Sequence, residues 1–161
     1  MKRYAIPLVF VAVMAAFCIW WYSPTQVVKR RTESLLTTLT LNAGDGKATR
    51  HMGAYSLNGL LAPEVELETP TIDEANGTFA REELESGFSW LCDQAKLTRF
   101  EMEELREITI DGDKAKVVLV LTGLVELPTY NPADGRYDVT FDWVKGEDGW
   151  RLSHAVWNKV P

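Results

Sequence analysis

Nineteen consecutive residues, Tyr4 to Tyr22, carry no charge, and Lys2 and Arg3 stand directly before them. At about 1.5 Å of rise per residue, such a run makes a helix roughly 28 Å long, close to the hydrocarbon thickness of a bilayer. Tyr4 at one edge and Trp20, Trp21 and Tyr22 at the other set amphipathic rings where two membrane interfaces would fall. Pro7 lies in the first turn, where its missing N–H costs little. The segment predicts an uncleaved signal-anchor over residues 1–23, with a domain over residues 24–161 behind it. The rival reading is a cleaved secretory signal. Val13-Met14-Ala15 would pass as a small-x-small site, but cutting there leaves Phe17 to Tyr22 on the product. Cys18 invites a lipoprotein reading, yet Phe17 precedes it where a small residue is wanted.

Orientation follows from flanking charge. Lys2 and Arg3 favour a cytoplasmic N-terminus, while Lys29, Arg30 and Arg31 pull the other way. The expectation is a single-pass membrane protein with its domain on the extracytoplasmic side, periplasmic if the host is a bacterium. Lys29, Arg30 and Arg31 then lie within reach of anionic headgroups, or form a solvated helix face.

Beyond Tyr22 the chain holds 15 basic and 23 acidic side chains, a net charge of −8. An acidic domain repels phosphate backbones, which argues against a nucleic-acid partner. The 139 residues after Tyr22 suit one domain with a real core. Cys18 and Cys92 cannot meet if one lies in a membrane, so packing alone must hold the fold. Asn76-Gly77-Thr78 matches a glycosylation sequon but reads first as a turn.

Ser23-Pro24-Thr25-Gln26 has the form of a helix start, with Ser23 as cap, Pro24 at the first helical position and Gln26 completing a capping box. Val28, Leu35, Leu36 and Leu39 then recur at helical spacing up to Asn42-Ala43-Gly44. Lys47 to about Leu61 predicts a second helix, ended by Pro63. Glu64 to Glu68 alternates as a short strand, and Arg81 to Ala95 predicts a third helix with Leu84, Phe88, Leu91 and Ala95 on one stripe. Strands come next over Phe100–Ile110, Ala115–Leu127, Arg136–Lys145 and Trp150–Lys159, punctuated by Asp111-Gly112, Asn131 to Gly135 and Gly146 to Gly149. Three helices, one early strand and an antiparallel meander predict an α+β layer fold.

This order resembles the nuclear-transport-factor-2-like or SnoaL-like superfamily, whose fold is a cone. Leu60 to Val65 is similar to its helix-to-strand step, Gly77 to Leu84 to the turn opening its third helix, and Gly149 to Leu152 to the start of its closing strand. The resemblance implies a curved antiparallel sheet around a pocket closed by three helices. It implies isomerases, dehydratases and cyclases, domains without known activity, and membrane-anchored assembly domains alike, so fold alone does not choose.

Strict alternation along the last strand puts Trp150, Leu152, His154 and Val156 on one face and Arg151, Ser153, Ala155 and Trp157 on the other. On the preceding strand Tyr137, Val139, Phe141 and Trp143 share the apolar face, opposite Asp142. This reading turns His154 into the cone and Asp142 out of it, and separates the two. His154 is the candidate acid or base. Tyr55, Trp90, Tyr137, Phe141, Trp143 and His154 are the candidate lining of an apolar ligand pocket, or else plain core. His51 is expected at the surface. Two distant histidines and one usable cysteine predict no metal site. The Glu64/Glu66/Glu68 and Glu101/Glu103/Glu104 clusters read as solvated faces, with a divalent-cation role as the lesser alternative, and no motif calls for a cofactor. Ala115–Leu127 is apolar on both faces, so its outer face, with Trp157, is expected to meet a second copy or an envelope partner. The functional expectation is therefore a membrane-anchored binding or assembly domain; the alternative is an isomerase or dehydratase using His154.

Overall fold

The computed structural model describes residues 5–70, 75–129 and 131–160. Tyr4, the proposed first edge of the anchor, lies outside them. Among the described residues, four helices and six strands run in the order α1 (Ala5–Trp21), α2 (Pro24–Leu39), α3 (Lys47–Asn58), β1 (Leu61–Glu68), β2 (Gly77–Ala80), α4 (Arg81–Gln94), β3 (Leu97–Asp111), β4 (Lys114–Glu126), β5 (Ala133–Gly146) and β6 (Gly149–Lys159).

α1 is apolar throughout, and its side chains from Val9 to Trp21 are exposed. Among the described residues no single helix is long and apolar enough to cross a membrane; α1 and α2 pass only as a pair bent by 55°. The bend falls at Ser23-Pro24. Ser23 occupies the cap position, but its hydroxyl makes no cap bond, so the predicted capping box does not form. Arg30 closes the joint instead: it donates to the Trp21 carbonyl oxygen at 2.9 Å, and its guanidinium sits 4.4 Å from the Trp21 ring centroid.

The six strands form one sheet in the order β2-β1-β6-β5-β4-β3. The meander β3 to β6 is antiparallel, as expected, whereas β1 runs parallel to β6. The sheet is thus mixed. The chain crosses from β1 through β2, α4 and the meander before β6 returns beside it, and such a crossover delivers a strand in the same direction. β2 was not expected. It pairs Phe79 with Val65 and converts the turn before α4 into an edge strand. Pro63 sits inside β1 rather than after a longer helix.

The core lies between the sheet's inner face and the helices. Val117, Leu119 and Leu121 of β4, Val139, Phe141 and Trp143 of β5, and Trp150, Leu152 and Ala155 of β6 pack with Val28, Leu35 and Leu36 of α2, Leu57 of α3 and Phe88 of α4. Buried Thr98 ties α2 to the sheet: its hydroxyl donates to the Leu39 carbonyl and accepts from the Leu41 amide.

Candidate functional site

Two bulged strands decide where the polar side chains go. In β5–β6, Asp142 pairs with His154 but Trp143 pairs with Leu152, so Ser153 is an extra residue. A bulge of this kind shifts the alternation by one. Trp150, Leu152, Ala155 and Trp157 face inward, and His154 turns to the outer face. β3 carries two such irregularities, between Met102 and Glu104 and between Leu105 and Glu107. They keep Phe100, Met102, Leu105, Ile108 and Ile110 against the core despite their uneven spacing.

The expected faces of β6 beyond Ser153 are therefore corrected. His154 does not point into the cone, and it is not separated from Asp142. Its Nδ1 lies 3.0 Å from Asp142 Oδ2, and its Nε2 lies 3.1 Å from Glu68 Oε1 on β1. Burial of the ring opposes its protonation, but the hydrogen bonds to Asp142 and Glu68 and the fields of Asp142 and Glu66 outweigh it. The imidazole pKa is thus raised above its ordinary value, and as imidazolium it donates from both nitrogens. Trp157 is corrected likewise. Its ring packs edge-on against Phe100, Tyr137 and Phe141, with centroids 5.9, 5.7 and 6.2 Å away. Phe100, Tyr137 and Trp157 border a small hollow of about 220 Å³, lined also by Gly123, Val125 and Ala133.

The six pocket candidates do not converge on one cavity. Phe141 and Trp143 are fully buried core. Tyr137 belongs to the Trp157 hollow. His154 borders an outer-face hollow of about 540 Å³ with Asp142, Lys114, Lys116 and Thr109. Tyr55 on α3 and Trp90 on α4 stand in solvent at 80% and 58% exposure. His51 is exposed as expected and pairs with Asp93 at 3.2 Å.

The outer face of β4 is apolar in sequence but polar in context. Val120 is fully buried without joining the helix-side core. It pairs with Glu104 on β3 and Asp138 on β5. Arg106 bridges these two carboxylates, at 3.5 and 2.8 Å, and so spans β4 at Val120. One step along, Arg136 and Thr122 both bond Glu103. With His154, Asp142 and Glu68, these pairs give the outer face a band of charge from β3 to β1. Sequence periodicity missed this band. The bulges that build it leave a trace in the spacing of inward residues, two-three-two along β6 and two-three-three-two along β3.

No family model and no curated protein matches the sequence. Solved structures do match the fold. A nuclear transport factor 2 (NTF2-like) superfamily protein from Salmonella enterica serovar Typhimurium aligns with a TM-score of 0.64 at 11% identity, over 86% of this chain and 92% of that one. An NTF2-like protein from Cytophaga hutchinsonii aligns at 0.63 and 16% identity, over 83% and 96%. The CaMKII hub of S. rosetta aligns at 0.56 and 16% identity, over 86% and 98%. The domain behind α1 thus has the cone-shaped α+β fold of the NTF2-like proteins.

Proposed function

We propose that the chain is a membrane-tethered cone-fold domain that works by self-association, an assembly module rather than a small-molecule enzyme. One observation carries the reading. Among the described residues, the large apolar side chains left in solvent are those of α1 and its junction, together with Met52, Tyr55 and Trp90 on the neighbouring helices α3 and α4. The first group is the tether and belongs in lipid; the second is the contact surface. Met52 and Tyr55 are one turn apart on α3, and α4 packs beside it through Asn58 to Glu85 and His51 to Asp93. The sheet's outer face, expected to make this contact, carries the charged band instead. A fold shared with a CaMKII hub domain agrees with a role in assembly.

The test uses the full chain in lipid nanodiscs and in detergent, with mass measured by light scattering. The expected result is a dimer or larger assembly that Trp90→Glu or Tyr55→Glu returns to monomer, with the circular dichroism spectrum retained. A monomer at every concentration overturns the reading. Failure of the chain to enter lipid overturns the tether alone.

A second reading, an isomerase- or dehydratase-type reaction, is favoured by the His154–Asp142 pair beside its open hollow. It predicts a turnover that His154→Gln abolishes while folding is kept.

A further inference from the structure

Glu66, Glu68 and His154 each turn one donor atom into the same space on the outer face, and the three atoms lie within 4.8 Å of one another. We propose that they form a binding site for a single divalent first-row cation of the zinc type, held by His154 Nε2 and the carboxylates of Glu66 and Glu68. This inference is independent of the assembly reading, and it departs from the sequence-based expectation of no metal.

The imidazole is what separates this set from a patch of surface acids. Asp142 already holds its far nitrogen at 3.0 Å. In metal sites a ligating histidine gives its other N–H to a carboxylate in this way, which fixes the ring and strengthens the ligand. The near nitrogen stands 3.1 Å from Glu68 Oε1. Two donors bound to one ion at about 2.1 Å sit roughly 3.0–3.4 Å apart in octahedral or tetrahedral geometry, so this edge already has a coordination length. An imidazole with two carboxylates suits zinc-like ions better than calcium or magnesium, which take oxygen alone.

Charge points the same way. Among the described residues no Lys or Arg forms an ion pair with Glu66, Glu68 or Asp142; His154 is the partner of the last two. Glu66 makes no side-chain hydrogen bond among the described residues, although it pairs with His154 in the strand register. Three carboxylates around one imidazole leave negative charge that a dication would neutralise. The donors also span two strands. Glu66 and Glu68 lie on β1 and His154 on β6, where the parallel ladder is interrupted between Leu61 and Glu66. A bound ion would clip the strands just beyond the interruption.

The experiment uses the full chain in detergent, stripped with chelator and titrated with Zn²⁺ by calorimetry and with Co²⁺ by visible absorption. One saturable ion per chain is expected, with a rise in melting temperature. Glu66→Gln is the clean variant, since among the described residues Glu66 makes no side-chain hydrogen bond whose loss could disturb folding; it should weaken binding ~10-fold or more. His154→Gln should abolish binding, and Asp142→Asn should weaken it about 10–100-fold while keeping the stoichiometry. His51→Gln should change nothing. Absence of saturable binding below about 1 mM Zn²⁺ overturns the proposal. So does binding that survives Glu66→Gln and His154→Gln unchanged.

Discussion

Asp142 on β5 and His154 on β6 meet at 3.0 Å because Ser153 is an extra residue in the ladder between their strands. The same ring reaches Glu68 on β1, 86 positions away, so one side chain joins three strands. Each bond is charge-assisted, yet the group is partly open to water. His154→Ala is therefore expected to cost about 1 kcal/mol of unfolding free energy. The loss should fall unevenly, with faster amide exchange in β1 than in β4, measured by hydrogen-exchange mass spectrometry. Equal effects on both strands would show that the triad is not a clamp on β1.

Arg50 is expected to matter more for stability than any exposed ion pair. Its guanidinium donates to four carbonyl oxygens: Cys92 and Ala95 at 3.2 and 2.7 Å, Asn42 and Lys96 at 2.7 and 2.9 Å. These lie at and beyond the C-terminal end of α4 and in the loop after α2. A planar fork meets them together, and an ammonium cannot. Arg50→Lys should lose about 2 kcal/mol in urea unfolding and Arg50→Ala at least as much. A lysine variant with wild-type stability would refute the geometric argument.

Cys92 should be chemically silent in the folded protein. It is 3% exposed, and burial pushes its thiol pKa up; the nearby Arg50 charge opposes this without reversing it. In a Cys18→Ser background, a thiol reagent at pH 8 should react ~100-fold or more slowly with native than with urea-unfolded chain. Similar rates in both states would mean that α4 opens readily.

Glu103 provides an acid-sensitive contact on the outer sheet face. The Thr122 hydroxyl and the Arg136 guanidinium donate to it, which holds its pKa below the ordinary value of 4.5. A carboxyl depressed in the native state stabilises that state fully above its unfolded pKa. The contribution fades as pH falls through the lower native value. Arg136→Gln should therefore reduce the acid sensitivity of melting temperature below about pH 4.5 and leave its slope near neutrality unchanged. An unaltered acid limb would place the sensitivity elsewhere.

The order of elements was legible because its signals are local. Pro24, Asp111-Gly112, Gly146 to Gly149 and the apolar stripe of α4 act within a few residues, and each boundary they imply falls within a few residues of an observed one. Edge strand β2 was not legible, since Gly77 to Ala80 becomes a strand only by pairing with β1. The site was legible by residue and not by place. His154 stood out as a titratable group in an apolar strand, but its face could not be read from period two. One extra residue reverses every later side chain.

By itself, the sequence determined the uncharged α1, the acidic character of the domain behind it, and a succession of helices and strands that resembles a cone. These depend on composition and on neighbours along the chain. Only the tertiary structure decided that His154 faces outward, that Trp157 packs with Phe100, Tyr137 and Phe141, and that Glu66 and Glu68 share the histidine's space. Those outcomes need a bulge opposite Asp142 and a parallel pairing of β1 with β6. Both are contacts between strands far apart in sequence, and no local period encodes them.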